Sequence, residues 1–261
     1  MTRLGIGTYA YAWSIGVPGH PQPSAPMDHT AFLHRSADLG VTLVQYADNL
    51  PLDALSPAAF DALLAEAARL GMSIEVGTRG IAHDHLRRYL EIARRCGSPI
   101  VRVVVDTKDH HPSPAEVVEI VRGILPEFAQ AGVTLAIENH DRFKAAVLAD
   151  VVRALDSPHV GICLDTVNSF GALEGPDVVV AALGPYVVNL HVKEFTVHRV
   201  SHNMGFVVEG VPAGQGMLDV PWLLAQLQGR YGRAFNAIVE LWPAPEATAD
   251  ATAAKEDAWV A

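Results

Sequence analysis

Cysteine is scarce: Cys96 and Cys163 are the two among 261 residues. They suggest no disulfide framework, and a reducing, cytoplasmic setting is expected. Basic residues are also few, 19 Lys and Arg against 29 Asp and Glu, for a formal net charge of -10. Nucleic-acid partners need clustered cations to neutralise phosphates, so this balance argues against them. No apolar run approaches the ~20 residues of a membrane helix, so no membrane partner is expected. The opening MTRLGIGTYAYAW lacks an apolar stretch with a cleavage site, and no secretory leader is expected. A dinucleotide-type glycine turn is missing too, because Gly5-Ile6-Gly7 lies inside the first strand pattern rather than after it.

What is present is hydrophobic and periodic. Half the residues are apolar, enough for one large core. Short β-rich runs fall at 4–10 (LGIGTYA), 42–47, 73–77, 100–106 (IVRVVVD), 134–139 (TLAIEN), 161–165 (GICLD), 187–192 (VVNLHV) and 237–241 (AIVEL). Between them, helical periodicity covers 27–39, 57–70, 84–96, 114–131, 144–155, 176–183 and 220–231. Ser56-Pro57 and Ser113-Pro114 read as helix starts, and Gly40, Gly71, Gly97, Gly132 and Gly232 as helix ends. Strand and helix alternating through eight repeats predict parallel strands closed as a single (β/α)8 TIM barrel, class α/β, one domain over 1–261. The tail is expected to form a short helix near 249–259.

Such barrels carry their chemistry at the C-terminal ends of the strands. Four polar residues sit there after apolar runs: Glu138, Asp165, His191 and Glu240. Alternation turns each of them to the inward face together with the residue two places earlier. A lone strand His is usually a hydrogen-bonded core residue, and a strand-end Asp is often a helix cap. Four together on successive strands point instead to one pocket. Three carboxylates there repel unless a cation offsets them. Oxygen-rich ligands with one nitrogen suit a single divalent ion, Mn2+, Mg2+ or Co2+, with two positions left for adjacent substrate oxygens.

The runs IENH (137–140), CLDTVN (163–168), LHVKEF (190–195), AGQGMLD (213–219) and VELW (239–242) resemble the xylose-isomerase-like TIM barrel superfamily, in its sugar phosphate isomerase/epimerase branch. That branch includes ketose 3-epimerases, hydroxypyruvate isomerase, inosose and dehydroshikimate dehydratases and AP endonucleases. The resemblance implies the metal set Glu138, Asp165, His191 and Glu240. It also implies a carbohydrate or sugar-acid substrate and a homo-oligomer. Many members carry a histidine three residues after the aspartate, where this chain has Asn168.

By parity His140 and Lys193 lie one step nearer the barrel mouth and are candidate substrate contacts. Tyr9 and Trp13 are candidate pocket walls. Glu75 is expected to pair with Arg102 in the core. The segment 196–216 reads as a long loop at the functional face, and its Arg199 and His202 could fold over the site and clamp a carboxylate. The first expectation is an isomerase or epimerase working through an enediolate, with Glu138 and Glu240 as base and acid. The alternative is a decarboxylase or dehydratase of a keto sugar acid on the same site. A repair nuclease is opposed by the charge, and a non-catalytic sugar binder by the intact ligand set.

Overall fold

Each predicted strand run forms a strand in the computed structural model, which describes residues 2–261. The strands are β1 Leu4–Gly7, β2 Leu43–Tyr46, β3 Ser73–Arg79, β4 Ile100–Val104, β5 Thr134–Glu138, β6 Val160–Asp165, β7 Val187–Val192 and β10 Asn236–Val239. They pair in parallel in the closed order β1-β10-β7-β6-β5-β4-β3-β2. The fold is a TIM barrel. Strands buried on both faces explain why these runs are nearly continuous in Val, Ile and Leu.

The ring of helices comprises α2 His29–Asp38, α3 Pro57–Arg69, α4 His83–Cys96, α5 Pro114–Ala131, α6 Ala145–Leu155 and α7 Pro176–Leu183. Their starts obey the sequence signals. Ser56 Oγ accepts from Ala59 N, and Ser113 forms a reciprocal capping box with Glu116. The ends of α4 and α5 are left-handed at Gly97 (φ 66°) and Gly132 (φ 68°). Between helices and strands runs one continuous apolar core that includes Phe32, Tyr89, Ile124, Phe128 and Leu135.

Three elements depart from expectation. The first strand stops at Gly7, not at residue 10, because Thr8 turns out of the ladder. Its hydroxyl donates to Asn49 Oδ1 (2.6 Å) and accepts from Ala47 N (3.0 Å), and Asn49 Nδ2 donates back to Thr8 O (3.1 Å). The chain then coils through Thr8–Tyr11 into the single helical turn α1, Ala12–Ile15. The helix expected at 220–231 is α-helical only over α8, Val220–Leu224, and continues as a wider π turn over Ala225–Arg230.

The third departure lies in 196–216, where the chain forms an antiparallel hairpin of β8 Phe195–Arg199 and β9 Phe206–Gly210. Thr196, Val197, Val207 and Val208 favour a pleated surface, and Asn203 takes the left-handed conformation (φ 60°) at the tip. The tail helix α9, Ala249–Val260, docks back on α1. Its buried Glu256 accepts from Trp13 N (2.8 Å), Ser14 N (2.7 Å) and Ser14 Oγ (2.7 Å).

Candidate metal centre and substrate cavity

The C-terminal ends of β5, β6, β7 and β10 bring Glu138, Asp165, His191 and Glu240 to the barrel axis. Register does this directly, since Asp165 lies opposite His191, and His191 opposite Ile238, two residues before Glu240. His191 Nδ1 lies 3.2 Å from Glu138 Oε2, 3.3 Å from Glu240 Oε1 and 4.0 Å from Asp165 Oδ2. All four side chains are buried. Gly7 makes the space: a Cβ there would stand 3.1 Å from Glu240 Oε1.

The donors fit a cation. Asp165 Oδ2, His191 Nδ1 and both Glu240 carboxylate oxygens are buried without a hydrogen-bond partner among the described residues. Asp165, His191 and Glu240 each bring one ligand atom within 4.8 Å of the others, and Glu138 does so with His191 and Cys163. Buried polar atoms left unpaired are costly, so this grouping calls for a shared partner. Asp165 spends its other oxygen, Oδ1, on the amides of Val167 and Asn168 (2.9 Å each). It therefore acts as a cap for the following turn and also presents Oδ2 to the cluster. His191 Nε2 donates to Gln45 Oε1 (2.7 Å), which leaves Nδ1 facing the carboxylates.

Two side-chain cations are built into the cluster. Arg102, from β4, donates through Nε to Glu138 Oε2 and through Nη1 to Asp48 Oδ1 (3.0 Å). Asp48 also takes Arg79 Nε (2.9 Å), giving the chain Arg79, Asp48, Arg102, Glu138. Lys193 Nζ stands 2.8 Å from Asp165 Oδ2 and 3.0 Å from Glu240 Oε2. It approaches both as a charge, without the alignment of a hydrogen bond.

These contacts set the protonation states. Burial would raise the Glu138 carboxyl, but the Arg102 guanidinium and the His191 ring outweigh it and hold it well below the usual carboxylate range. Burial likewise opposes ionisation of Glu240, and His191 and Lys193 bring it down to about 2. Burial disfavours the Lys193 ammonium, yet Asp165 and Glu240 keep its pKa raised. Burial, and after it Asp48, pushes the Tyr9 hydroxyl up to about 12.

Beside the cluster lies a cavity of ≈ 300 Å³ lined by His140, Asn168, Phe170, Lys193, Val208 and Trp242, among others; Asn168 and Lys193 are the lining residues that also contact the cluster. Asn168 Nδ2 donates to Glu138 Oε1 (2.8 Å), and Lys193 Nζ reaches Asn168 Oδ1 (3.4 Å). His140 is half-buried at the rim, with Nδ1 2.5 Å from Asp141 Oδ1. Tyr9 donates to Asp48 Oδ2 (3.1 Å), and its ring lies under Arg102 and Lys193, 5.9 and 6.0 Å from the centroid.

Other candidates are not brought together with the cluster. Trp13 Nε1 donates to Pro243 O (3.2 Å), and its ring packs edge-on to His20 beside a different cavity. Arg199 is exposed, with Nη1 on Asn203 O (3.0 Å) and its guanidinium over Phe206 (4.6 Å). His202 is exposed at the hairpin tip, where its Nδ1 accepts from Met204 N (3.3 Å). The positive wall expected from these two is therefore not formed: pairing of β8 with β9 turns Arg199 onto its own hairpin.

Arg102 does not pair with Glu75. It sits opposite Gly77 and Ala136, one layer above Glu75, so its long side chain reaches Glu138. A charged residue inside IVRVVV was the available signal, but its partner depends on the stagger between strands.

The sequence pattern of the family described as "Xylose isomerase-like TIM barrel" matches residues 33–258. The chain belongs to that family. A 3-oxo-isoapionate decarboxylase of Pectobacterium atrosepticum is 38% identical over 258 residues, 98% of this chain and 91% of the relative. Among solved structures of this fold, a D-psicose 3-epimerase studied with D-fructose superposes with a TM-score of 0.71 at 17% identity, covering 99% of this chain and 96% of that one. A family member from Mycobacterium smegmatis in complex with magnesium superposes with a TM-score of 0.69 at 15% identity, covering 100% and 96%. This protein is thus an enzyme-type barrel of a family with carbohydrate-related members, and its own described helices include none long and apolar enough to cross a membrane.

Proposed function

We propose that this chain is a divalent-metal-dependent decarboxylase of a small 3-oxo sugar acid. The observation that carries the reading is Lys193. Its ammonium stands between Asp165 and Glu240 at the point where the ligand cluster meets the cavity. Similarity over nearly the whole chain to a protein named as a 3-oxo acid decarboxylase supports it.

A divalent ion (Mn2+, Mg2+ or Co2+) held by Glu138, Asp165, His191 and Glu240 would supply Lewis acidity to a ketone and a neighbouring oxygen. The residues of the chain do the rest. In a 3-oxo acid the bond from C2 to the carboxylate breaks, its electron pair moves toward the ketone oxygen, and CO2 leaves. Lys193 would supply a fixed cation for that developing negative charge. It also carries a proton that C2 can take once CO2 has left. Asn168 and His140 offer hydrogen bonds to hydroxyls, and Phe170 and Trp242 limit water around the carbanionic carbon.

The isomerase, first in the sequence reading, requires Glu138 as a free base facing Glu240 across the substrate. Arg102 and Asn168 each donate to one Glu138 oxygen and hold the carboxylate in place. The lyase moves ahead of the isomerase on the position of Lys193 and the 38% identity to a protein named as a decarboxylase. The test is to incubate the protein with Mn2+ and 3-oxo-isoapionate, then with related 3-oxo acids and neutral ketoses, and to read CO2 release and product NMR. One CO2 per substrate consumed is expected, abolished by EDTA. Asp165→Asn or Lys193→Met should lower the rate by roughly 10²–10³-fold, as for loss of one charge-stabilising group. An epimerised ketose with no CO2 from any acid would return the isomerase to first place.

A further inference from the structure

Below the ligand layer, Gln45, Glu75, Asn189 and Asn236 form a buried polar floor that the proposed reaction does not use. Gln45, Glu75 and Asn189 are at most 2% exposed. Glu75 accepts from three amides: Gln45 Nε2 (3.1 Å) and Asn189 Nδ2 (3.0 Å) on Oε2, and Asn236 Nδ2 (2.6 Å) on Oε1. Gln45 Nε2 is shared with Asn189 Oδ1 (3.1 Å), and Gln45 Oε1 receives His191 Nε2 (2.7 Å). We propose that Glu75 is a positioning residue for the metal centre: it orients the Gln45 amide so that His191 must keep its proton on Nε2 and offer Nδ1 to a metal. The proposal rests on the metal reading above.

The logic is donor and acceptor counting. Glu75 accepts from all three amides, so each turns its NH2 toward it. Gln45 then has only its oxygen left for His191. An oxygen cannot accept from a bare ring nitrogen, so Nε2 must carry hydrogen. Only Nδ1 is then left to coordinate. Outside this floor, Asn236 is anchored independently, because its Oδ1 accepts from Arg3 N (3.3 Å). Glu75 makes no hydrogen bond to any of the four ligands among the described residues, and its hydrogen-bonded link to His191 runs through Gln45.

Glu75→Gln tests this at nearly constant shape. With Asn236 anchored, the new NH2 must face Gln45 and Asn189, where it meets donors. Gln45 turns over, presents NH2 to His191 Nε2, and drives the proton to Nδ1. Two readouts apply to purified, folded protein: the protonation of His191 Nε2 by 15N NMR, read at a pH high enough that the metal-free ring is neutral because the surrounding carboxylates raise its pKa, and Mn2+ affinity by calorimetry. Nε2–H is expected in the wild type and lost in Glu75→Gln, with Mn2+ binding weakened by roughly 10–100-fold. Gln45→Met removes the acceptor without altering Glu75, and is expected to weaken Mn2+ binding in the same range. It decides the matter if Glu75→Gln does not fold. A folded Glu75→Gln that keeps Nε2–H, or either variant binding Mn2+ within twofold of wild type, would overturn the assignment. Wild type that binds no Mn2+ defeats the metal reading, and with it the claim that Nδ1 is kept for a metal. The NMR comparison would then still report on the Glu75–Gln45–His191 relay.

Discussion

At the scale of single residues, the centre is a balance of buried charge. Three carboxylates meet one imidazole, and Arg102 and Lys193 are the cations that the chain itself provides. Arg102 is the clearer one to test, because it is buried between Glu138 and Asp48. Removing one partner of a buried pair strands the other charge, at a cost of about 3–5 kcal/mol. Arg102→Met should lose stability in that range in urea denaturation of the metal-free protein. Saturating Mn2+ should recover part of it, since a bound cation offsets the stranded Glu138. A loss below about 1 kcal/mol would mean that the pair contributes little beyond its own desolvation.

At the scale of elements, the hairpin β8–β9 is the part that frames the cavity. Its base is fastened by Glu194, which is buried and accepts from Phe195 N (3.0 Å), Gly214 N (3.2 Å) and Leu218 N (2.8 Å). Trp242 Nε1 donates to Glu194 O (2.9 Å), so the same residue seats a cavity wall. Gly216 passes so close that a Cβ would lie well inside contact distance of Phe195 O, a backbone atom that cannot swing away. Gly216→Ala should therefore loosen the hairpin, seen as faster amide exchange over 196–216, and should lower turnover through Val208 and Trp242. Arg199→Ala, in contrast, removes a guanidinium that contacts its own hairpin and should change turnover less than about twofold, within the ordinary range for surface changes. A large, acid-selective loss in Arg199→Ala would restore the carboxylate clamp expected from the sequence.

Across the whole molecule, the buried acids link stability to pH. Glu138 and Glu240 have folded values below the ordinary 4.5, with Glu240 at about 2. Depressed carboxyls contribute stability that is present above the unfolded value and lost as pH falls through the folded one. The metal-free protein should therefore weaken from pH 4.5 toward 2, measured as the urea midpoint against pH. Glu240→Gln lacks one of these groups, so its midpoint should fall less steeply over that window. Equal slopes for the two proteins would show that Glu240 is not held ionised by His191 and Lys193. Glu256 acts with the opposite sign: burial raises its carboxyl, so ionisation weakens the joint between α9 and α1 as pH rises.

Composition and periodicity by themselves determined the eight strands, most of the helices with their caps, and the inward side of Glu138, Asp165, His191 and Glu240. These properties are local: a period of two or 3.6 residues, a Ser-Pro start, a polar residue closing an apolar run. Which charges meet was decided only by the tertiary structure. Barrel stagger lifts Arg102 one layer above Glu75 and aims it at Glu138, and the same stagger gathers Glu75, Gln45, Asn189 and Asn236 from four strands into one floor. Pairing of 195–199 with 206–210 likewise made a hairpin of the segment read as a long loop, and it keeps Arg199 to itself. Alternation tells a side chain which face to take. Its neighbour on that face depends on how strands far apart in sequence slide against one another as the barrel closes.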